Sequence, residues 1–514
     1  MKNKFLAFVM VMAMALTMIP GVALAAEHTV TDVSGIKDAI NNDTDGDIVI
    51  ILGNNVTIGE KLTVPASKNV TIKGAYTITR GAAYTGTLFE VAAGATLTLD
   101  DGLVIDGGNE WTFDKTGFDT ALANSTKHEG LAFVTSASSS APNATAAMFV
   151  INGSVLANDV TIQNNYSTKS SNSGDGGIFK VNANASLTMT GAKVKHVATA
   201  GANAVAYVAS GATWTINDGT VISDNYAGRN GGICRTDSGK IVMNGGSIVD
   251  NHAVNTNGTV FMLYGSNSLF EMNGGTISGN LGANGPANGR NSAIYLHRNG
   301  KMIMTGGTIS NNSGTNFGGI DNGSSSATLK ISGGYVGENT SIRENAHKDV
   351  NGLIEYDDEN NPVYNSNYSI TGGVFSQDVS MYLEENVPAP VLGDDGKYYV
   401  GDNMKDAPVA PAPAPKSSGS GIKVKYEGGN SFSTSKSAVP TSVEIDGVAV
   451  PFTGNGSSFT VNSIPAGAKW VTVRWNSTSV TTNFTPSGAY AAEIEIPKTG
   501  DASLWAAVAA VLGF

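Results

Sequence analysis

A short segment returns along the middle of the chain at a nearly constant interval, and few folds can accommodate it. It reads Met243-Asn-Gly-Gly-Ser-Ile248, Met272-Asn-Gly-Gly-Thr-Ile277, Met304-Thr-Gly-Gly-Thr-Ile309, Ile331-Ser-Gly-Gly-Tyr-Val336 and Ile370-Thr-Gly-Gly-Val-Phe375. Two looser copies precede these, Met189-Thr-Gly-Ala-Lys-Val194 and Ile216-Asn-Asp-Gly-Thr-Val221. Aligned on the second glycine position, they place Ala192, Gly219, Gly246, Gly275, Gly307, Gly334 and Gly373 at spacings of 27, 27, 29, 32, 27 and 39 residues. Self-similarity at such a period marks a solenoid or a related array.

Each period carries a second element. Gly176-Gly-Ile178, Gly231-Gly-Ile233, Gly258-Thr-Val260, Ser292-Ala-Ile294 and Gly318-Gly-Ile320 fall about midway between the Gly-Gly copies, and an asparagine follows most copies at Asn225, Asn251, Asn280, Asn312 and Asn339. The flanking runs alternate apolar and polar residues, the period-2 pattern of half-buried strands. Glycine pairs permit the positive φ that tight corners need. A coil this short has no room for a crossover helix, so each strand stacks on its equivalent one coil later, in a parallel ladder. Stacked asparagines can hydrogen-bond along such a ladder, and neighbouring coils jointly bury apolar faces that none buries alone. The expected fold is all-β, a parallel β-helix over residues 27–402; a β-propeller expects larger blades of about 40 residues or more. Roughly 10 to 13 coils at about 4.8 Å each give a monomeric rod of about 50–60 Å. Val33, Ile36, Ala39 and Ile40 share one face of a short amphipathic helix, which would cap the apolar end of the stack. Asp47 to Leu52 then begins the strands.

The order of that helix, Gly46-Asp-Ile-Val49, Val70-Thr-Ile-Lys-Gly74 and the Gly-Gly coils resembles the pectate-lyase-like right-handed β-helix superfamily, and more narrowly is similar to β-helix surface proteins and adhesins of Firmicutes. The resemblance spans most of residues 27–400. It implies the fold; it does not imply an activity, because this scaffold hosts lyases, hydrolases, adhesins and phage fibres alike.

The two ends point outward from the cell. Lys2 and Lys4 precede an apolar run from Phe5 to Ile19, and Ala23-Leu-Ala25 supplies small residues at the spacing of a signal-peptidase site, so residues 1–25 read as a secretory signal peptide. After the solenoid, Pro408, Pro411, Pro413 and Pro415 alternate with small residues, and residues 403–421 read as a semi-rigid spacer with a flexible end. Residues 422–494 carry alternating runs such as Ile422-Lys-Val-Lys-Tyr426, Ser442-Val-Glu-Ile445 and Lys469-Trp-Val-Thr-Val-Arg-Trp475, expected to form a small β-sandwich-like module with its tryptophans mostly in the core. Residues 496–514 hold Ile496, Pro497, Lys498, Thr499 and Gly500, then an apolar run from Leu504 to Phe514. This resembles an LPxTG-type sorting signal with Ile496 in the usual leucine position. By resemblance, sortase would cut between Thr499 and Gly500 and join Thr499 to peptidoglycan. The apolar run is shorter than the about 20 residues of a span, and no basic tail follows it, a departure from the family pattern.

Chemistry is harder to find. Lys plus Arg number 31 against 43 Asp plus Glu, a net charge of -12, which argues against a nucleic-acid partner. The single cysteine, Cys234, excludes an intrachain disulfide framework; it aligns with Phe179, Phe261 and Tyr295 as a stacked apolar residue. No Gly-x-Ser-x-Gly, Walker, HExxH or CxxC motif is present, nor are the Asn-Thr-Asp, Gly-His-Gly and Arg-Ile-Lys motifs of β-helix polygalacturonases. Asp100-Asp101, Asp357-Asp358 and Asp394-Asp395 read as turn aspartates, because adjacent strand residues point to opposite faces. Asp43-Thr-Asp-Gly-Asp47 lacks the Glu of a calcium loop, having Leu52 at that position, and the six histidines show no ligand spacing. No cofactor and no metal is expected. Three residues stand out as candidate contacts: Arg229 and Arg290, in the similar corners Gly228-Arg-Asn-Gly-Gly-Ile233 and Gly289-Arg-Asn-Ser-Ala-Ile294, and Trp111, which opens the insertion Trp111-Thr-Phe-Asp-Lys-Thr-Gly-Phe118. The expectation is a non-catalytic, adhesin-like protein of the cell wall that binds a glycan or a host or microbial surface protein. The alternatives are a polysaccharide lyase or hydrolase, if acidic and basic side chains converge in a groove, and a bare structural spacer.

Overall fold

The structure is a computed structural model that describes residues 25–175, 177–283, 291–315, 317–322, 326–341, 355–356, 362–363, 367–407, 423–445, 448–464, 468, 470–475 and 478–483. The chain divides into two compact units, Met1–Pro408 and Val409–Phe514.

The first unit is a parallel β-solenoid of about 10 turns. The Gly-Gly copies stack in the register their repetition predicts: Met189, Ile216, Met243, Met272, Met304 and Ile331 pair in succession, and Ile331 pairs with Ile370. All are buried. Both glycines of a copy are required. Gly275 has a φ of +83°, and a Cβ on Gly274 would lie 2.4 Å from the Asn244 carbonyl of the coil below.

After each corner a second strand ends in a residue with left-handed backbone. These are Asn164, His196, Asp224, Asp250, Gly279, Asn311 and Glu338, with φ between +53° and +69°. The next residue points inward, and from Asn225 on it is the repeating asparagine. Asn225, Asn251, Asn280 and Asn312 each donate from Nδ2 to Oδ1 of the next asparagine at 2.9 Å, ending on Asn339. The same oxygens accept the backbone N–H of Asn225, Asn251, Asn280 and Asn312 at 3.1–3.2 Å. A second, exposed ladder runs along the outer face through Thr190, Asn217, Asn244, Asn273 and Thr305, with links of 2.9–3.1 Å.

The third strand of each coil builds a nine-stranded parallel sheet, Leu62–Val64 to Ile320–Asn322. Inside it Phe89, Phe149 and Phe179 stack with centroids 5.1 and 5.0 Å apart, the coil spacing expressed in rings. Cys234 belongs to this inward column, between Ala206 and Phe261, and is fully buried.

Three sequence expectations need correction. Cys234 and Phe261 align with Ile294, not with Tyr295; Tyr295 sits on the opposite face. Ile222, not Val221, pairs with Val194 and Ile248, because Thr220 is an additional buried residue in that corner. The strands also begin earlier than Asp47: Ala26–Val30 precedes the helix and pairs in parallel with Asp47–Leu52. The helix itself, Val33–Asn42, is capped by Asp32 and buries Ile36, Ala39 and Ile40 as expected. At the far end Tyr368–Phe375 pairs antiparallel with Tyr398–Val400, which pairs antiparallel with Val391–Leu392, so the last parallel strand of that sheet is covered along Gly373–Phe375. The turn Gly401–Asp406 adds to this closure, Asn403 accepting the Gly373 N–H at 3.0 Å. This places solenoid structure in the first residues of the stretch read as linker.

The second unit, among its described residues, consists of two four-stranded antiparallel sheets around Phe432, Val443, Ile445, Phe459, Val461, Val471, Val473 and Trp475. Trp475 is a core residue whose Nε1 donates to the Ala438 carbonyl at 2.7 Å.

The buried ladder makes a measurable claim. Asn280→Ala leaves the buried Asn251 N–H without an acceptor, at about 1–3 kcal/mol for the buried group, while the Asn251 Nδ2 keeps the Ile222 and Val249 carbonyls at 3.0 Å. Asn244→Ala, on the exposed ladder, leaves groups that water satisfies. Hydrogen exchange is expected to show the Asn251 amide opening far more readily in Asn280→Ala and little changed in Asn244→Ala; equal effects would refute the distinction.

Candidate cleft beneath the 107–143 insertion

The coil containing Val104–Asp106 does not turn directly into its next strand. At the position where later coils carry the left-handed residue and the asparagine it has Gly107 and Gly108, and the chain leaves the solenoid until Ala144. Gly107 approaches so closely that a Cβ would lie 2.5 Å from the Asn164 carbonyl. The insertion is built from an antiparallel pair, Trp111–Phe113 with Val134–Ser136, flanking a helix Lys115–Ala123 capped by Asp114. Buried Asn109 ties its base together, donating to the Pro142 carbonyl and to Asn143 and accepting from Ser136.

The insertion folds down along the rod rather than outward. Trp111, Phe118, Ala121, Leu122, Phe133 and Val134 form one apolar cluster with Tyr166, Ala198, Tyr226, Val254 and Ala283, which come from five successive coils. Its tip is fastened by the Tyr226 hydroxyl, which donates to the Gly130 carbonyl at 3.0 Å, and by the Gly130 N–H, which donates to the Gly228 carbonyl at 3.2 Å. Burial pushes the Tyr226 hydroxyl pKa well up, so the donor persists at any physiological pH.

Between insertion and rod lies a cleft of about 480 Å³, lined by Glu110, Trp111, Phe113, Gln163, Asn164, Lys195, His196, Asp224 and His252. Its size falls in the ordinary range of small-ligand sites, about 300–1,000 Å³. Trp111 stacks on His196 with centroids 4.3 Å apart and planes 9° from parallel, and its Nε1 donates to the His196 carbonyl at 2.9 Å. The left-handed backbone of His196 turns that ring to the corner. Asp106 fixes the neighbouring wall, accepting from Gln163 at 3.0 Å and Asn164 at 2.8 Å. His252 is wedged between Phe113 and Phe118, at 4.3 and 5.1 Å.

Of the residues singled out by sequence, Trp111 lines this cleft, but at 6% exposure it anchors the insertion rather than projecting from it. Arg229 is half-buried beside the insertion tip, where its charge helps hold the Glu129 carboxyl below the usual range, after the larger effect of Lys127. Arg290, Ala23, the segment Ile496–Gly500 and Asp357-Asp358 lie outside the described residues; Ala25 lies at their start. Sequence reasoning missed Glu110, Lys195, His196, Asp224 and His252. The signal was present only as register: Asn164, His196 and Asp224 each stand immediately before an inward ladder position. Among the described residues no group of three or more His, Cys, Asp or Glu is arranged to hold a metal ion.

Comparison with protein-family models, with curated proteins and with solved structures gave no match to this chain. A functional reading therefore stands on the chemistry of the cleft and of the chain ends.

The wedged histidine gives the insertion a pH dependence. Burial, aided by Lys115 and opposed by Asp224 and Asp119, pushes the His252 imidazole down to about 4 from an ordinary 6.5. The folded state thus holds neutral imidazole where the unfolded chain binds a proton. The stability this contributes is complete above about pH 6.5 and is lost as pH falls toward about 4. Thermal melts of the wild type are expected to fall across that window more steeply than those of His252→Leu; parallel curves would refute the assignment.

Proposed function

We propose that the chain is an exported, wall-attached β-helix that binds a glycan in the cleft beneath the insertion without cleaving it. The observation that carries this reading is the composition of the cleft: half-buried Phe113 and the stacked Trp111–His196 pair stand beside Glu110, Gln163, Asn164 and Asp224. A sugar offers apolar C–H faces and a rim of hydroxyls, and apolar walls with a few placed polar groups are what bind such molecules. The signal-peptide pattern ending at Ala23-Leu-Ala25 and the sorting-signal resemblance at Ile496–Gly500 support export and attachment through sortase to peptidoglycan. A Pro-rich spacer and a small β module between rod and sorting segment suit a stalk.

A second reading has one specific observation in its favour. Glu110, Asp224 and Lys195 converge on the same cleft, and two carboxylates with a cation are the raw material of polysaccharide hydrolysis or elimination. Against it, the motifs of β-helix polygalacturonases are absent from the sequence.

One experiment separates the two readings. The full chain is incubated with neutral and acidic polysaccharides, and bound polymer and newly released chain ends are measured together. Binding without new ends, weakened at least tenfold by Glu110→Ala with Asp224→Asn at unchanged melting temperature, is the expected result, asparagine tolerating the left-handed backbone at position 224. Release of ends that the same double variant abolishes would establish the enzyme. Binding indifferent to both substitutions would remove the cleft from the reading.

A further inference from the structure

The nine-stranded sheet carries, on its outer face, an arrangement that the cleft does not involve. Tyr207, Arg235, Met262 and Tyr295 form one outward column, and Asp237 and Tyr264 begin the next, with His297 following in step. The guanidinium of Arg235 lies 4.1 Å from the centroid of the Tyr264 ring, and that of Arg298, from the turn just past the following strand, lies 4.6 Å from the same ring. His297 stacks on Tyr264 at 5.1 Å with planes 12° apart. Neither arginine has a carboxylate partner among the described residues, and the Nε of Arg235, out of contact with solvent, has no hydrogen-bond partner. The nearby carboxylate, Asp237, faces the Tyr207 hydroxyl at 3.5 Å.

We infer that Arg235 and Arg298, held over the Tyr264 ring, form a binding site for a tetrahedral oxyanion ester, the sulfate group of a sulfated polysaccharide. In a chain of net charge -12, two guanidiniums without a carboxylate partner among the described residues share one ring. Stacking on the ring fixes each planar cation and lowers the cost of ordering it on binding. The terminal guanidinium N–H groups have no carboxylate partner among the described residues, and such groups make paired, charge-assisted bonds to oxyanions. A single carboxylate has two oxygens and is satisfied by one guanidinium fork; a sulfate or phosphate ester has three terminal oxygens and can engage both. Arg235 lies on the strand before that of Tyr264 and Arg298 in the turn just past the strand after it, so the coils on either side of Tyr264 supply the pair. This site is independent of the cleft reading and survives its failure.

The test uses the full chain, with heparin as the sulfated probe and hyaluronan and desulfated heparin as carboxylate-only polymers. Heparin is expected to bind at least tenfold more tightly than either, and Arg235→Ala with Arg298→Ala to abolish that preference at unchanged melting temperature. Arg298→Ala alone, at an exposed position, is expected to remove part of it, which guards against misfolding of the double variant. The inference is overturned if the arginine variants bind heparin as the wild type does, or if the carboxylate polymers bind equally well. It is also overturned if inorganic sulfate or phosphate alone binds as tightly as heparin, which would make this a free-ion site, or if a phosphorylated polysaccharide outcompetes the sulfated one.

Discussion

A solenoid coil must turn its backbone several times in fewer than forty residues, and every inward turn buries peptide groups that water cannot reach. In this chain the buried asparagine column resolves that problem. Each Oδ1 takes both the side-chain and the backbone N–H of the coil before it, while each Nδ2 also reaches a carbonyl, as Asn280 does to Ile248 at 3.0 Å. One side chain thereby satisfies groups on two coils and fixes their relative height. The left-handed residue just before each asparagine is part of the same device, because it reverses the chain so that the amide points inward. With height and register set at one corner, the strands on either side have no freedom to slip, and their alternating side chains fall into continuous apolar columns.

Where the column lapses, the chain finds substitutes. Val197 occupies a ladder position with no side-chain polarity, yet its N–H still donates to Asn225 at 3.1 Å. Below it Asn165 accepts from the buried guanidinium of Arg80 at 3.2 Å. Burial pushes Arg80 down to about 10, which leaves it cationic at neutral pH with no carboxylate partner among the described residues. Carbonyl-type oxygens, those of Gly86 and Asn165, take the place of a counter-ion. The interruption lies in the same coils that the insertion covers, so the stretch with the weakest internal ladder has external packing from Phe118, Phe133 and Trp111.

The fold was legible because stacking turns repetition in sequence into contact in space: the Gly-Gly copies and the asparagines are alike since each rests on the next. The errors share one cause. A single additional residue, Thr220 in one corner or the step that sets Ala293 rather than Ile294 beside Val260, inverts strand parity, and no pattern within one coil reveals it. Only the neighbouring coil does. The alignment of Cys234 with Tyr295 fails for that reason, and the strand Ala26–Val30 escapes the repeat pattern because it abuts the export segment. The cleft was less legible still. Its walls come from residues 110, 111 and 113 of the insertion and from four later coils, and the two histidines look scattered because their separation of 56 residues is two coils, a relation that becomes visible only when the register is known.

The same arithmetic governs where chemistry can arise on such a rod. Residues about thirty apart in sequence become neighbours at roughly 5 Å, so an outward position acquires its partners from the adjacent coils and from little else. On the third sheet that nearly suffices: Arg235 and Tyr264 come from adjacent strands, and Arg298 from the turn just past the next one. A concave site needs more, because stacked strands present a nearly flat wall. The insertion supplies the missing side, and it can do so only by trading polar corner positions for Tyr166, Ala198, Tyr226 and Val254, which would be poorly placed at an exposed corner. Those apolar residues at the corner of successive coils are therefore the mark that the cleft leaves on the repeat, and the reason the coils beneath it depart from the consensus that the later ones keep.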